Sequence, residues 1–270
     1  MTSSTTLLRL TPAAAFRGAR ARRLVERNIM VYRRSWMIIF SGLFEPIFYL
    51  LSIGVGLGHL VGKVPGPGGH VLDYRTFVAP ALLAAASMNG AVYDSTMNVF
   101  YKLKYAKVYD AVLATPLGVD DVARGEITWA LLRGFLYAVA FIIVMLCFGL
   151  VHSAWIVLAL PASVLIGFGF AAVGMATTSY MRSWQDFEFV QLAVLPLFLL
   201  STTFYPLSTY PRWLQLVTEC TPLYHGVVLL RALNVGAVGP GLLLHAAYFV
   251  VMGVVGVMIA SRRLGHLLLK

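Results

Sequence analysis

No stretch of this 270-residue chain is both long and polar enough to make a soluble catalytic domain, since only 12 % of its residues are charged. It also lacks a phosphate-binding loop. The nearest approach is Gly58-His59-Leu60-Val61-Gly62-Lys63-Val64. That segment is one residue short between its glycines and has no Ser or Thr after the lysine, so it cannot cradle nucleotide phosphates in the P-loop manner. The six histidines are scattered, with no H-E-x-x-H helix, no G-x-S-x-G turn and no Asp/His cluster, which excludes the familiar hydrolase centres. Cysteine is scarce as well. Cys147 and Cys220 fall in different topological regions, and neither has metal-ligand spacing with a histidine. No apolar core of a signal peptide precedes Trp36, so none is expected. Internal repeats and low-complexity tracts are absent.

What the chain has is hydrocarbon. Apolar residues make up 59 % of it, the mean hydropathy is +0.80, and this composition belongs to a polytopic membrane protein. Six stretches reach membrane-spanning length: Trp36–Val61, Phe77–Phe100, Ile127–Val151, Ala154–Thr178, Phe189–Leu207 and Leu242–Ala260. A helix needs about 20 mostly apolar residues to cross a hydrocarbon core of about 30 Å. Inside lipid the backbone must satisfy its own hydrogen bonds, so these are helices. The expectation is an all-α integral membrane protein with six transmembrane helices.

A net charge of +10 invites a nucleic-acid reading, but the distribution argues against it. Sixteen of the 21 Lys and Arg residues fall before span one, between spans two and three, or after spans four and six, and Arg133 lies just inside span three on the same side. The remaining four, Lys63, Arg75, Arg212 and Arg231, fall on the other side. Positive residues concentrate in cytoplasmic loops, so both termini are expected in the cytoplasm and the chain in the plasma membrane.

Residues 1–12 read as a flexible N-terminus and 13–35 as a helix on the inner headgroups. In that helix, arginines alternate with Phe16, Leu24, Ile29, Met30, Val31 and Tyr32, and their stems lie over apolar surface. The alternative is a plain basic flank that fixes topology. The membrane domain covers 36–262, and 263–270 form a tail. Gly62 to Tyr74, with Pro65-Gly66-Pro67-Gly68-Gly69, reads as a flexible outer turn.

Between spans two and three, Leu103, Ala106, Asp110 and Leu113 fall near helical spacing, and Thr115-Pro116-Leu117-Gly118 ends that helix. Asp120 and Asp121 suit the start of the next one. The short amphipathic helix is either a docking surface or an ordinary loop helix. Ser208–Val235 is apolar but broken by Pro211 and Pro222, and neither piece can span alone. A pair of short outer helices dipping into the bilayer fits it, held against protein or a watery cavity.

Ionisable residues inside spans are costly and usually functional. Glu45, beside Pro46, lies mid-span in span one, and Asp94 lies in the inner half of span two, with Arg133 of span three available to either. Too few carboxylates converge for proton coupling to be the favoured reading, which leaves a structural or gating role. The aromatics Tyr49, Tyr74, Trp155, Tyr205, Tyr210, Trp213 and Tyr224 gather at the outer side, and Trp36, Tyr101, Tyr105 and Trp184 at the inner. They form an interfacial belt, with stacking on a sugar or amphiphile as a second use for the outer ones.

Several runs resemble the type-2 ABC transporter permease family. These are Tyr74-Arg75-Thr76-Phe77-Val78-Ala79-Pro80-Ala81-Leu82-Leu83 with Met88, and Asp110-Ala111-Val112-Leu113-Ala114-Thr115-Pro116-Leu117. Asp120-Asp121-Val122-Ala123-Arg124-Gly125-Glu126 continues the match, and Ser201-Thr202-Thr203-Phe204-Tyr205-Pro206-Leu207 with Pro211 and Pro222-Leu223 completes it. The likeness is to permeases of nodulation-factor lipo-oligosaccharide exporters and daunorubicin-type exporters, and it covers nearly the whole chain. One departure is Pro80-Ala81, where relatives often have Pro-Gly.

The resemblance implies six spans per subunit, an inner connector helix, an outer re-entrant helix pair, and two permeases working with two separate ATP-binding subunits. ATP and Mg would sit on those partners, and no cofactor in this chain. Leu103–Leu113, with Tyr105, Ala106, Tyr109 and Asp110 and followed by Thr115 and Pro116, would be the coupling helix. Glu126 would lie at an inner gate and Phe204, Tyr205 and Pro206 near an outer one. Glu45, Pro46, Met88, Asn89, Tyr93 and Asp94 complete the candidate gate and pathway residues. The implied function is outward export of an amphipathic, lipid-linked or glycolipid substrate, with drug efflux as the alternative. A lipid-modifying enzyme would need a converging polar cluster at one interface, which the sequence does not offer.

Overall fold

The computed structural model describes residues 13–34 and 44–268. Among these, four helical stretches are long and apolar enough to cross a bilayer: Tyr74–Lys104, Asp121–Cys147, Ala154–Thr178 and Gly241–Gly265. They correspond to the second, third, fourth and sixth expected spans. The chain is a helical membrane protein.

Helix α1 (Ala13–Arg34) comes first. The first expected span, Trp36–Val61, lies outside the described residues over 36–43. Its remainder is α2 (Phe44–Tyr49), a π-helical stretch Leu50–Leu57 and a closing turn α3 (Gly58–Val61). The loop expected to be a flexible turn is instead a small hairpin, with β1 (Lys63–Pro65) antiparallel to β2 (Val71–Asp73) and Val64 opposite Leu72. Val64 and Leu72 are both buried, and that burial orders a Pro/Gly-rich segment that composition alone marks as loose. Gly68 and Gly69 take the positive φ of the turn, where glycine pays no Cβ penalty.

The next span runs as α4 (Tyr74–Tyr93), a π-helical stretch Asp94–Asn98 and α5 (Val99–Lys104). The expected single helix from Leu103 to Leu113 is not formed. Lys107 adopts left-handed φ 47°, and a separate α6 (Val108–Leu113) starts after it. Non-glycine residues pay for that conformation, so the kink persists because Tyr109 is drawn into the core. α7 (Val119–Cys147) follows, and Asp121 closes its first turn by accepting from the Gly118 N–H at 3.0 Å.

α8 (Ala159–Thr178) packs against α4, α7 and α12 (Gly241–Leu268) and is the axis of the bundle. Small residues allow this. A Cβ on Gly256 of α12 would lie 2.7 Å from the Ala172 backbone, and one on Gly174 of α8 would collide with Ser95. Membrane helices associate through such close approach, since burial against lipid supplies no driving force.

α9 (Phe187–Leu200) has 14 residues and stops short of the expected Phe189–Leu207. Ser201 Oγ returns to the Phe198 carbonyl at 3.2 Å, Ser201 and Thr203 hydroxyls bond each other at 2.8 Å, and Thr202 turns to φ 61°. Local side-chain bonding of this kind competes with helix propagation. None of the residues in α9 is buried.

Two short helices then follow, α10 (Arg212–Cys220) and α11 (Pro222–Val235). Arg231 of α11 ties this region to the rest. It is buried, donates to the Phe77 carbonyl at 3.1 Å and the Thr202 carbonyl at 2.9 Å, and stands 3.6 Å over the Phe77 ring. Pro80 inside α4 clashes with the turn before it and weakens the bonds of the carbonyls there. Arg231 bonds the Phe77 carbonyl, one residue beyond the Thr76 carbonyl that the missing Pro80 N–H leaves without its helical donor.

Two apolar cores result. One holds Phe77, Leu82, Phe141, Ile166, Leu223 and Phe249 at the hairpin end, and the other holds Leu24, Tyr109, Val112, Ile127, Met175 and Leu264 at the opposite, basic end.

Candidate functional site

A cavity of about 500 Å³ opens between α4, α7, α9 and Tyr49 of α2. Leu82, Leu83, Phe141, Val194, Leu195 and Phe198 make most of its wall apolar. Polar groups enter from three helices: Ser87, Asn89 and Tyr93 of α4, Arg133 and Tyr137 of α7, and Gln191 of α9. Ser87 spends its hydroxyl on the Leu83 carbonyl at 2.9 Å. Asn89 Oδ1 is shielded from water and has no hydrogen-bond partner within the protein. A shielded acceptor of that kind costs about 1–3 kcal/mol, and such costs are kept where a ligand uses them.

Arg133 is the charged group of this wall, and it is already neutralised. Its Nη1 lies 2.8 Å from Asp94 Oδ1, and both side chains are buried. It also donates to the hydroxyls of Tyr32 at 3.2 Å and Tyr137 at 3.1 Å. α1 therefore reaches the cavity through Tyr32, which also packs on Trp129 of α7 with ring centroids 5.0 Å apart. A buried charge in a low-dielectric span survives only when paired and hydrogen-bonded, and this one has three partners.

A second polar cluster lies two α-helical turns toward the basic end. Lys102 Nζ contacts the two carboxylate oxygens of Glu126 at 3.0 and 2.8 Å, and Asn28 of α1 donates to the same carboxylate at 3.4 Å. Tyr109 of α6 is 1 % exposed, and burial together with the nearby Glu126 carboxylate pushes its phenol well above its usual value. Its hydroxyl has no well-aligned partner. Helices α1, α5, α6 and α7 thus meet around one carboxylate.

The residues expected from sequence divide accordingly. Asn89 and Tyr93 line the cavity, and Asp94 stands behind it on Arg133. Met88 is fully buried and turns into the apolar core instead. Glu126 lies in the inner cluster and is absent from the cavity wall. Phe204 touches the cavity indirectly, edge-on to Phe198 at 5.3 Å, while Tyr205 is exposed and Pro206 half-buried. Glu45 and Pro46 belong to α2, but their side chains lie outside the described ones.

Of the expected coupling residues, Tyr105, Ala106, Asp110, Thr115 and Pro116 are exposed, Leu103 and Leu113 are half-buried, and Tyr109 is buried. Tyr105 packs edge-on to Phe100 and Trp184 at 6.2 and 6.1 Å. Sequence reading missed Lys102, Tyr32, Tyr137 and Arg231 as functional partners. A lysine at the end of a span reads as a simple flank, and only the fold places Glu126 opposite it.

The ABC-2 type transporter family matches residues 20–235. Nodulation protein J of Rhizobium leguminosarum bv. viciae is 29 % identical over 245 residues, covering 88 % of this chain and 93 % of that protein. Nodulation protein J of Sinorhizobium fredii is 29 % identical over 231 residues, covering 85 % and 86 %. Nodulation protein J of Neorhizobium galegae is 27 % identical over 247 residues, covering 88 % and 92 %.

Proposed function

The chain belongs to the ABC-2 type transporter family, and we propose that it is the membrane subunit of an ATP-driven exporter moving an amphipathic, lipid-linked or glycolipid substrate outward. The observation that carries this reading is the wall of the 500 Å³ cavity, largely hydrocarbon with amide and hydroxyl groups from α4, α7 and α9. Such a wall accepts an acyl chain and a hydroxylated head together, and its one cation is already paired with Asp94. A drug-efflux role is the second reading, supported by the apolar share of the same wall.

In this reading the basic end faces the cytoplasm. The 18 residues from α2 to α3 belong to the first expected span, and α9 with the segment after it forms another, giving six. α10 and α11 form the outer pair that dips into the bilayer. α6 and the exposed residues beside it dock on a separate ATP-binding subunit, two of which serve a pair of permeases. α1 lies along the inner headgroups with Ile29, Met30 and Val31, all exposed, toward lipid.

The mechanism follows from the contacts. Displacement of α6 by the ATPase moves Tyr109, which leans on Glu126. Glu126 is held by Lys102 of α5 and Asn28 of α1, so α1, α5 and α7 move as one body. Seven residues along α7, Arg133 carries the same displacement to the cavity wall through Asp94, Tyr137 and Tyr32. Closing that wall on the cargo favours its release outward.

The test is reconstitution with a candidate ABC-type ATPase subunit from the same organism. Replacing Tyr105, Asp110 and Leu113 together by Ala is expected to leave ATP hydrolysis running while export of a fluorescent lipid-linked oligosaccharide stops. Unimpaired export by that variant refutes the docking assignment. Export of hydrophobic drugs alone, with no lipid-linked cargo accepted, selects the second reading.

A further inference from the structure

A second cavity, of about 410 Å³, lies on the other side of α9, against α4, α8 and α12. Along most of its length the wall is hydrocarbon, including Val92, Phe170, Val173, Leu197 and Met252. Thr96 and Thr177 also line it, but each donates its hydroxyl to its own helix, to the Val92 carbonyl at 2.6 Å and the Val173 carbonyl at 2.9 Å. They have no hydrogen left to donate to a ligand. From Asp186 to Leu197 the lining follows α9 for about 16 Å at about 1.5 Å per residue. That is about half of a 30 Å hydrocarbon core, the depth of one leaflet.

Polar groups gather at one end only. Tyr180 and Asp186 line that mouth. The exposed Arg263 places its guanidinium 4.8 Å over the Tyr180 ring. Asp186 accepts the backbone N–H groups of Arg182 at 2.6 Å and Ser183 at 3.1 Å, both on Oδ2. These bonds hold its carboxyl below the usual value, so it is charged at neutral pH. The mouth therefore presents the Asp186 carboxylate, with the exposed Arg182 acting on it, and the Arg263 guanidinium stacked on Tyr180, above an apolar slot.

We propose that this cavity seats an acyl chain of an aminophospholipid from the adjoining leaflet, with the phosphate on Arg263 and the primary ammonium on Asp186. The charge pattern selects the headgroup. An anionic headgroup brings a negative charge to Asp186 with no ammonium to offset it, and a choline headgroup has no N–H to donate to the carboxylate. An ethanolamine headgroup matches both signs and donates hydrogen bonds to the anion. The site adjoins the 500 Å³ cavity, sharing Val92 and Val194 with it, but its charged mouth at Asp186 and Tyr180 belongs to this slot, so the proposal does not depend on which cargo is exported.

The experiment is native mass spectrometry of the full chain in mild detergent, titrated with phosphatidylethanolamine, phosphatidylcholine and phosphatidylglycerol of identical acyl chains. Ethanolamine lipid is expected to be retained about fivefold over choline lipid, the ratio that one net hydrogen bond of about 1 kcal/mol supports. Asp186→Asn keeps an acceptor for the two backbone N–H groups, and it should bring ethanolamine lipid down to the choline level. Ala193→Phe, which fills the slot from α9, should reduce retention of all three lipids. Arg263→Gln, distant from the helix cap, should weaken all three and serves if Asp186→Asn folds poorly. Equal retention of the three lipids by the unmodified chain overturns the proposal. So does an ethanolamine preference that survives Asp186→Asn, or retention of the three lipids that Arg263→Gln or Ala193→Phe leaves unchanged.

Discussion

Lys102 Nζ grips both carboxylate oxygens of Glu126, at 3.0 and 2.8 Å, with the two side chains only 11 % and 2 % exposed. The pair closes α5 onto α7 at the point where α1 and α6 also arrive. Breaking it from one side leaves a buried charge with no counterion, a loss of about 3–5 kcal/mol. Glu126→Gln and Lys102→Met are each expected to lower the thermal unfolding midpoint markedly. The double variant Lys102→Met with Glu126→Leu should recover much of the loss, because it leaves no charge behind. Fluorescence-detected size exclusion after stepwise heating reads all three.

Tyr109 behaves differently. Its ring is core, but its hydroxyl is buried without an aligned partner. Tyr109→Phe should therefore leave stability at pH 7 unchanged or raise it by up to about 1 kcal/mol. The pH dependence has a definite sign. The phenol's folded-state pKa is raised, so its protonated form contributes fully below the unfolded value near 10, and that contribution is lost as pH rises through the folded value. Unfolding midpoints measured between pH 9 and 11 should fall more steeply for the wild type than for Tyr109→Phe.

The cavity polar groups are predicted to act on cargo and not on folding. Asn89→Leu removes an acceptor that has no partner within the protein, so its unfolding midpoint should hold or rise. Export should drop by about 5- to 10-fold if the cargo uses that acceptor, since a hydrogen bond is worth about 0.5–1.5 kcal/mol. Gln191→Trp narrows the same space from α9 and should stop export while leaving the midpoint within a degree or two. Paired transport and melting measurements separate these effects from simple damage.

Arg231→Leu removes the donor shared by the Phe77 and Thr202 carbonyls. Two buried acceptors then lose their partner, at about 1–3 kcal/mol each. Arg231→Lys should rescue only part of the loss, because an ammonium lacks the planar fork that serves both carbonyls. Limited proteolysis near Ser201–Tyr205 is the direct readout, since that turn is what Arg231 holds in place.

The four long spans were legible because a run of hydrocarbon about 20 residues long has one structural solution in lipid. Their ends were less so. The second was expected to stop at Phe100, yet the helix continues to Lys104, because Glu126 neutralises Lys102 and lets it remain inside. The break at Lys107 was invisible, since Tyr105-Ala106-Lys107-Val108 contains neither glycine nor proline. Burial of Tyr109, a tertiary effect, imposes it. The hairpin at Lys63–Asp73 was hidden for the opposite reason: its prolines and glycines signal a turn, and only the inward seats of Val64 and Leu72 make it ordered. Asp94 was recognised as costly and Arg133 as a possible partner, but the hydroxyls of Tyr32 and Tyr137 that complete the arrangement come from 101 residues away on one side and four on the other.

No residue of α9 is sealed from the surroundings: Val194, Leu197 and Phe198 rest on the core, while Phe189, Leu192 and Leu195 face outward and are exposed. A screen that scores variants by expression or heat resistance would pass nearly any apolar replacement along Phe189, Leu192 and Leu195. Only an assay in a native bilayer, with every neighbour present, could tell which of those replacements the organism would tolerate.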